Sequence, residues 1–312
     1  MMELPTRVDV REVGPRDGLQ IEAPIGTDEK IRLIRALVAT GVQRIEATAF
    51  VSPRAVPAMA DAERIAEYVQ SVPGVEWSGL VASPHGAERA IATGLRTIEY
   101  VVSASDGHSQ ANARRSTQEA VDAVAQVASI VHDAGGRLEV IIAVSWDCPF
   151  DGPTDPQRTA SIAARALELG ADRLCFGDTI GTTTPVRVWR LLDAVRTAIG
   201  GAPGADTVPL GAHFHNTRGT GIASAFAALQ AGVTQLDASV GGLGGCPFAP
   251  GASGNIATEE LVYLLDDAGI TTGVDLDKVL QACVVATELV GHPLESDLFR
   301  AGGRNRPRGV PA

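Results

Sequence analysis

Residues 137–176, RLEVIIAVSWDCPFDGPTDPQRTASIAARALELGADRLCF, contain one complete copy of the pattern that decides the fold. Val, Ile and Leu are concentrated over Arg137–Val144, which predicts a buried strand, and apolar residues with helical spacing follow over Asp155–Leu169. Gly170 then ends the helix, because glycine tolerates left-handed backbone, and a second strand is predicted over Arg173–Phe176. A strand, a helix and a second strand in this order are typical of a parallel sheet.

The same βα unit recurs about eight times along the chain. We predict strands at Val8–Val13, Arg44–Thr48, Trp77–Val81, Thr97–Val102, Arg137–Val144, Arg173–Phe176, Leu210–Phe214 and Gln235–Ala238. We predict helices at Asp28–Thr40, Ala60–Ser71, Pro84–Thr93, Ser116–Ala134, Asp155–Leu169, Pro185–Ile199, Gly219–Ala231 and Thr258–Ala268, with a further one at Asp275–Val290. A glycine that we expect to be left-handed ends five of them, at Gly41, Gly94, Gly135, Gly170 and Gly232.

Eight units in about 250 residues favour a closed (β/α)8 barrel, the TIM barrel of the α/β class, over an open doubly wound sheet. An open nucleotide-binding sheet usually has a GxGxxG turn after its first strand, and this chain has none there. We therefore expect residues 1–312 to form a single barrel domain. Residues from about 275 to 312 are expected to add a C-terminal helix and a flexible tail.

The composition argues against several classes of function. The 312 residues carry a formal net charge of −11, so the chain has no excess of lysine and arginine with which to bind nucleic acid or an anionic membrane. It has no apolar run of the roughly 18 residues that a membrane span needs, and its start lacks the features of a secretory signal. We therefore expect a cytoplasmic protein. Its four cysteines form no CxxC pair, which argues against a disulfide framework and a cysteine zinc site.

Charged and polar residues gather where the predicted strands end. In a (β/α)8 barrel the active site lies at the carboxyl ends of the strands, so side chains at these positions are candidates for chemistry. The candidates are Arg16 and Asp17 after strand one, Glu46 in strand two, Asp178 after strand six, His213 and His215 at strand seven, and Cys246 in the glycine-rich segment Gly241–Gly254.

The HFH motif at residues 213–215 is the most informative of these features. Residues two apart in a strand lie on the same face, so His213 and His215 are both expected to face the barrel mouth. With the carboxylate of Asp17 and the amide oxygen of Asn255 they would form a mixed nitrogen and oxygen site that suits a divalent cation such as Mg²⁺ or Mn²⁺. Taken alone, two such histidines more often make hydrogen bonds in a polar cavity.

Each of the other candidates has a structural alternative. Arg16 can hold an oxyanion, or it can form a salt bridge with Asp17 that braces the loop. Glu46 can orient Arg16 or pair for structure alone. Asp178 can position substrate or a metal-bound water, or it can cap the following turn. Cys246 lies in a segment with enough glycine to close over the barrel mouth, and the alternative is a flexible connection without chemistry.

Six motifs in this order resemble the hydroxymethylglutaryl-CoA lyase family, which belongs to a wider group of metal-dependent barrels that make or break bonds beside a carboxylate or thioester. The resemblance spans nearly the whole chain. Its motifs are VREVGPRDGLQ (10–20), IEATAFVSPRAVPAMADAE (45–63), CPFDGP (148–153), GDTIG (177–181), AHFHNT (212–217) and VGGLGGCPFAPGASGNIATEELVYLL (240–265). GPRDGLQ, HxH and GLGGCP are specific in combination, whereas each alone is not.

The resemblance implies a role for each candidate. It implies a divalent cation, Mg²⁺ or Mn²⁺, that is bound by Asp17, His213, His215 and Asn255. It also implies that four further residues act in the reaction: Arg16 by stabilising an enolate, Glu46 by supporting Arg16, Cys246 by transferring a proton, and Asp178 by contributing to the site. The implied reaction is cleavage of 3-hydroxy-3-methylglutaryl-CoA (HMG-CoA) to acetyl-CoA and acetoacetate, as in leucine degradation and ketone body formation.

Two stretches depart from the family pattern. Asn216 follows the two histidines where the family commonly has an aspartate, which changes the charge near the metal. Residues 103–117, SASDGHSQANARRST, resemble their family counterpart only loosely, and His108, Arg114 and Arg115 give them a different character. The two arginines either contact the phosphates of CoA or are solvated residues at the start of a helix.

Other functions stay open from the sequence. One is a lyase that acts on a longer, branched 3-hydroxyglutaryl-CoA. Another, less favoured, is a synthase that condenses acetyl-CoA with a 2-oxo acid, because such synthases resemble this chain less in GLGGCP and usually carry an extra C-terminal domain. A third is a catalytically silent barrel that binds acyl-CoA. The expected partner is a small-molecule acyl-CoA, with no nucleic acid or membrane, and a homodimer is left open.

Overall fold

The computed structural model describes residues 4–200, 207–245 and 254–304. The barrel strands are β1 (Asp9–Glu12), β2 (Arg44–Phe50), β3 (Glu76–Val81), β4 (Thr97–Ser103), β5 (Arg137–Ala143), β8 (Arg173–Asp178), β9 (Leu210–Phe214) and β10 (Gln235–Ala238), while β6 (Asp147–Cys148) and β7 (Gly152–Pro153) form a small antiparallel hairpin. Parallel pairing in the order β1-β10-β9-β8-β5-β4-β3-β2 closes the barrel, because β2 pairs with β1 again. The predicted (β/α)8 fold is confirmed.

Helices follow the strands around the barrel. They are α1 (Thr27–Ala39), α2 (Ala62–Val69), α3 (Pro84–Ala92), α4 (Asp106–Ala113), α5 (Thr117–Asp122), α6 (Val124–Asp133), α7 (Pro156–Glu168), α8 (Pro185–Ile199), α9 (Gly221–Gln230), α10 (Thr258–Asp267), α11 (Leu276–Val290) and α12 (Asp297–Ala301). Helix α11, predicted from the sequence, packs against α1 and α10. The tail beyond residue 304 lies outside the described residues. No helix in the described ranges is both long and apolar enough to cross a bilayer.

The helix predicted at Ser116–Ala134 is divided into α5 and α6 at Ala123, and α4 was not predicted. Helix α4 has no apolar periodicity, so the sequence pattern could not reveal it. It depends on a cap, in which Ser105 Oγ accepts a hydrogen bond from the His108 amide, and on a hydrogen bond of 2.8 Å from the Gly107 amide to Asp151 on the hairpin. The short helix α12, also not predicted, is capped by Ser296.

The inside of the barrel contains a layer of charged side chains. Arg11 on β1 forms ion pairs with Glu99 on β4 and Glu139 on β5, strands that do not neighbour β1 in the sheet. Side chains of non-adjacent strands meet only through the interior, so these groups cross the barrel. Barrel interiors are usually filled by Val, Ile and Leu. This layer lies beneath the strand ends where the candidate site residues were predicted.

The five glycines predicted to end helices all have left-handed backbone: Gly41 (φ 88°), Gly94 (φ 96°), Gly135 (φ 71°), Gly170 (φ 104°) and Gly232 (φ 82°). Their surroundings differ. A Cβ atom at Gly41 would lie 2.7 Å from the carbonyl oxygen of Gly273, whereas a Cβ atom at Gly135 would meet nothing within 4 Å. Glycine is therefore required at residue 41 by its backbone conformation and by the packing around it, and at residue 135 by its backbone conformation alone.

We expect Gly41→Ala to lower the free energy of unfolding more than Gly135→Ala. The left-handed conformation alone costs an alanine about 1–2 kcal/mol, and the clash with the Gly273 carbonyl adds to that cost at residue 41. Urea denaturation followed by circular dichroism measures both variants against the unmodified chain. Equal losses for the two variants would contradict the packing at Gly41.

Candidate active site

The GPRDG sequence forms a single turn of π-helix, Gly14–Gly18, directly after β1. The carbonyl oxygen of Val13 accepts hydrogen bonds from the amides of Arg16 (3.2 Å), Asp17 (2.8 Å) and Gly18 (3.1 Å). These bonds turn the chain over the end of the barrel. The turn places Arg16 and Asp17 side by side at the carboxyl ends of the strands, as the sequence predicted.

A cavity of about 380 Å³ opens at this end of the barrel. One part of its wall is polar, and another is made by apolar side chains of the strands and of the segment before α2. The polar lining residues include Arg16, Asp17 and Gln20 after β1, His108 and Asn112 on α4, Thr179, His213 and His215, and the apolar ones include Val56, Leu80, Val101 and Ile141, with Gly245 at the edge of the described chain. Four of the predicted site residues, Arg16, Asp17, His213 and His215, therefore share one cavity.

His213, His215 and Asp17 converge in this cavity. The Nε2 atoms of the two histidines lie 3.1 Å apart, and Asp17 Oδ2 lies 3.9 Å from His213 Nε2 and 3.8 Å from His215 Nε2. One atom from each side chain falls within 4.8 Å of the others, so a single cation could be shared by all three. The structure thus brings together the three predicted ligands with ionisable side chains.

The protonation states suit metal binding. Although burial acts in the opposite direction, the charges of Arg16, His213 and His215 lower the pKa of Asp17 to about 2. Burial and the neighbouring His213 lower the pKa of His215 to about 4. At neutral pH Asp17 is therefore an anion and His215 is a neutral imidazole, which are the forms that ligate a cation.

Asn255, the fourth predicted ligand, also lies at the cluster. Its amide nitrogen donates to Asp17 Oδ2 at 2.7 Å and to the carbonyl oxygen of Leu243 at 3.0 Å. Its Oδ1 atom is buried without a hydrogen-bond partner among the described residues. A buried amide oxygen in that condition is unfavourable unless it meets a donor or a cation, so the residue fits a metal site.

Asp237 is a part of the site that the sequence interpretation missed. Its Oδ2 atom lies 3.1 Å from His213 Nδ1, and its two oxygens accept hydrogen bonds from Arg11 at 2.9 and 2.8 Å. Despite burial, Arg11 and His213 hold the pKa of Asp237 well below its usual range. An anion at Nδ1 fixes the hydrogen on that atom and leaves the lone pair of Nε2 facing the cluster. The available signal was an aspartate inside a predicted barrel strand.

Arg16 is held between two carboxylates. Its Nη1 atom donates to Asp17 Oδ1 at 2.6 Å, and its Nε atom lies 2.7 Å from Glu46 Oε1. Gln20, not predicted from the sequence, accepts from Nη1 at 3.3 Å and also lines the cavity. Burial disfavours the charge, but Glu46 and Asp17 raise the pKa of Arg16 above its ordinary value. The guanidinium is therefore a fixed positive charge at the cavity wall.

The remaining predicted residues are placed differently. Asp178 accepts hydrogen bonds from the amides of Thr182 (3.0 Å) and Thr183 (3.1 Å), so it caps the turn after β8, and it is absent from the cavity wall within the described ranges. Its catalytic role stays a prediction. Cys246 lies outside the described residues, although Gly245 before it lines the cavity.

Comparison with known proteins places this geometry in a family. The sequence profile of the HMGL-like family matches residues 7–285. The chain belongs to the HMGL-like family. The resemblance read from its motifs is therefore confirmed.

Individual relatives agree with this assignment. A hydroxymethylglutaryl-CoA lyase of Bacillus subtilis is 38% identical over 296 residues, which cover 95% of this chain and 97% of that protein. An (R)-citramalyl-CoA lyase of Chloroflexus aurantiacus is 40% identical over 306 residues, which cover 95% of each. The structure of an HMG-CoA lyase from Acinetobacter baumannii in complex with coenzyme A and 3-methylmalate matches with a TM-score of 0.91, at 36% identity and full coverage of both chains. Hydroxymethylglutaryl-CoA lyase from Pseudomonas aeruginosa matches with a TM-score of 0.89, at 35% identity over 96% of this chain and 98% of that one.

The structure locates the two stretches that the sequence analysis singled out, Asn216 and residues 103–117. Asn216 Oδ1 accepts a hydrogen bond of 3.1 Å from the Gly221 amide, so this side chain supports the start of α9. His108 and Asn112 lie on α4 and line the cavity, with His108 Nδ1 bonded to Ser103 Oγ at 2.8 Å. Burial lowers the pKa of His108 to about 4, so this part of the wall is polar and neutral at pH 7.

We expect Asp237→Asn to weaken Mn²⁺ binding by about 10- to 100-fold, the range typical for partners of metal-ligating histidines. The amide can donate to His213 Nδ1 and so favours the tautomer with hydrogen on Nε2, which blocks ligation. Isothermal titration calorimetry measures the effect. A matched control is Asp172→Asn, because Asp172 pairs with His132 at 2.9 Å on the outside of the protein. Equal affinities in the two variants would contradict the arrangement.

Proposed function

We propose that the chain is a divalent-metal-dependent acyl-CoA lyase that cleaves HMG-CoA to acetyl-CoA and acetoacetate. The observation that carries this proposal is the convergence of Asp17, His213 and His215 beside the fixed charge of Arg16. Relatives named as hydroxymethylglutaryl-CoA lyases, alike over nearly their whole length, support it. The HMG-CoA lyase solved with coenzyme A supports an acyl-CoA as the substrate.

We propose Asp17, His213, His215 and Asn255 as the residues that hold the cation, with Mg²⁺ or Mn²⁺ as its identity. Oxygen and imidazole ligands of this kind suit both ions. A divalent cation held there would act as a Lewis acid. It would lower the pKa of a hydroxyl group bound to it and would also bind a carboxylate or carbonyl oxygen of the substrate. The cavity offers the carboxylate of Asp17 as a group able to take up the proton that the tertiary hydroxyl loses.

Arg16 acts on the other product of the cleavage. When the carbon–carbon bond breaks, the electron pair passes to the thioester fragment and gives an enolate with a negative oxygen. Arg16 is in place before the charge develops, because Asp17 and Glu46 hold its guanidinium on two sides. Because the guanidinium of Arg16 does not have to move when the enolate forms, its positive charge stabilises the transition state more than the ground state.

The enolate must gain a proton to become acetyl-CoA. We propose Cys246 as the donor, on the basis of the family motif and of its position next to Gly245, which lines the cavity. A thiol transfers a proton well when its pKa lies near the working pH. Asp178 keeps its proposed contribution to the reaction, and its carboxylate also supports the turn that carries Thr179 to the cavity. Arg114 and Arg115 are proposed as contacts for the phosphates of CoA, since they follow α4, whose Asn112 lies on the cavity wall.

A second candidate substrate is (R)-citramalyl-CoA. The citramalyl-CoA lyase of Chloroflexus aurantiacus is as similar to this chain as the hydroxymethylglutaryl-CoA lyases are. Both substrates release acetyl-CoA by the same bond cleavage, and they differ by one methylene in the other fragment. A hydrophobic pocket discriminates a single methylene by only about 10- to 200-fold, so the ratio of kcat/KM for the two substrates has to be measured.

We expect the purified chain with Mg²⁺ or Mn²⁺ to release acetoacetate from HMG-CoA, and we expect EDTA to abolish the reaction. Arg16→Gln is expected to lower kcat by about 10²- to 10³-fold, as for the loss of one preorganised contact to an oxyanion. An enzyme-coupled assay for acetoacetate measures both effects. Arg190→Gln, on the exposed side of α8, is the control and should retain full activity.

Turnover that survives EDTA, or an Arg16→Gln variant as active as Arg190→Gln, would contradict the proposed roles. If pyruvate is released from (R)-citramalyl-CoA at a higher kcat/KM than acetoacetate from HMG-CoA, then (R)-citramalyl-CoA is the preferred substrate. The proposed mechanism would stay the same. A chain that binds acyl-CoA but cleaves neither substrate would favour the catalytically silent barrel.

A further inference from the structure

One wall of the active-site cavity is apolar and has no part in the roles proposed above. Leu80 on β3, Val101 on β4 and Ile141 on β5 line the cavity from three neighbouring strands. Val101 and Ile141 are paired with each other across β4 and β5. These three side chains form an aliphatic wall, which offers branched hydrocarbon surface and no hydrogen-bonding atom. Val56, from the segment before α2, lines the same cavity.

The aliphatic wall lies across the barrel mouth from the predicted cation ligands. In the ring of strands, β10 stands between β1, which precedes Asp17, and β9, which carries His213. Counted in either direction around the closed barrel, β4 is the fourth strand from β10. In a barrel of eight strands, this separation puts the two strands on opposite sides. Val101 on β4 therefore lies on the opposite side of the cavity from the cation cluster.

Polar groups bound the aliphatic wall along β4. Glu99 precedes Val101 by two residues and is ion-paired with Arg11 at 2.6 Å in the barrel interior. Ser103 follows Val101 by two residues, and its Oγ atom lies 2.8 Å from His108 Nδ1. Residues two apart share one face of a strand, so the apolar surface has a polar group below it and another above it. On this strand the wall is one residue high, which suits a short alkyl group and not a long acyl chain.

The hydroxyl-bearing carbon of the proposed substrate has one substituent that the proposed roles do not use. In HMG-CoA this carbon carries the hydroxyl, a carboxymethyl group, the methylene that leads to the thioester, and a methyl group. With the hydroxyl and the carboxylate at the cation and the thioester oxygen at Arg16, the methyl group points to the opposite side of the cavity, where the aliphatic wall lies. A single methyl group covers little of the surface that three branched side chains offer.

We propose that the aliphatic wall binds the alkyl substituent of this carbon, and that the preferred substrates are 3-hydroxy-3-alkylglutaryl-CoA thioesters whose alkyl group is longer than methyl. The inference rests on the proposed function and specifies the substrate class within it. Cleavage is the same for each member of the class. The bond between C2 and C3 breaks, and its electron pair passes to the thioester enolate, which takes up a proton to become acetyl-CoA. The hydroxyl loses its proton, and C3 becomes the ketone of a 3-oxo acid.

The first test compares HMG-CoA with its 3-ethyl and 3-propyl homologues in the presence of Mn²⁺. Acetyl-CoA is the common product, and a coupled citrate synthase assay measures it. Because the burial of one methylene favours binding by about fourfold, we expect kcat/KM to rise by about that factor from methyl to ethyl and to rise again for propyl. Equal or falling values along the series would overturn the inference, whereas the cleavage of HMG-CoA would still support the proposed function.

A binding measurement tests the aliphatic wall without turnover. The thioesters 3-methylglutaryl-CoA, 3-ethylglutaryl-CoA and 3-propylglutaryl-CoA lack the hydroxyl and cannot be cleaved by this reaction, so isothermal titration calorimetry gives their Kd with the intact chain. We expect each added methylene to lower Kd by about fourfold. Kd values that do not fall along the series would overturn the inference. If the chain cleaves none of the hydroxylated substrates, the proposed function fails, and this series alone decides whether the wall binds an alkyl group.

Two adjacent valines in β4 give a matched pair of variants. Val101 belongs to the aliphatic wall and is partly exposed, whereas the side chain of Val102 points to the other face of the strand and is 1% exposed. Threonine keeps the shape of valine and adds a hydroxyl. We expect Val101→Thr to lower the ratio of kcat/KM for the 3-propyl substrate to kcat/KM for HMG-CoA by about fourfold, because the alkyl chain then displaces water from a polar group.

The same ratio should stay unchanged in Val102→Thr, although this variant buries a hydroxyl and loses stability. Each ratio is taken within one variant, so a difference in the folded fraction cancels. A ratio that changes equally in the two variants, or in neither of them, would overturn the role of the aliphatic wall.

Discussion

Two imidazole nitrogens that lie 3.1 Å apart beside a carboxylate are the contact on which the site depends. Lone pairs on His213 and His215 cannot face each other at this distance unless a hydrogen or a cation lies between them. The low pKa of Asp17 keeps a negative charge at the same place, which favours a cation over a single proton. The other groups of the site either hold these three side chains in position or act on the substrate beside the cation that these side chains would bind.

The geometry of the barrel brings Asp17, His213 and His215 together. Strand alternation points His213 and His215 to the same side, and the π-helical turn after β1 brings Asp17 and Arg16 across the mouth. Beneath them the interior layer is charged rather than apolar. Burying a guanidinium among carboxylates is costly unless every charge is paired, so such a layer is weak evidence for stability. One contact of the layer does orient a site residue, because Arg11 holds both oxygens of Asp237, and Asp237 in turn contacts His213.

The sequence predicted the parts of the site that a local pattern can show. The HFH motif gave the shared face of the two histidines, and the strand ends gave Arg16, Asp17 and Glu46 as neighbours, because all barrel strands end at the same rim. Asp237, Arg11 and Glu99 were missed for a different reason. Glu99 and Asp237 are each the single charged residue of their strand, whereas Arg11 lies in a short strand with two other charged residues, so no local pattern marks it out. The ion-pair partners of Arg11 lie on strands far away in sequence. Which strands face each other across the barrel is decided by closure and not by any local pattern. Helix α4 was missed for a similar reason, since its stability comes from a cap and from contacts to the hairpin.

The central claim is that one divalent cation is bound by Asp17, His213 and His215. Anomalous diffraction at the manganese edge, from crystals soaked in Mn²⁺, tests it without reference to any substrate. The account predicts a single peak at the barrel mouth, within bonding distance of the Asp17 carboxylate and of both histidine Nε2 atoms. A mouth without a peak, or a peak bound to only one of these side chains, would contradict the account.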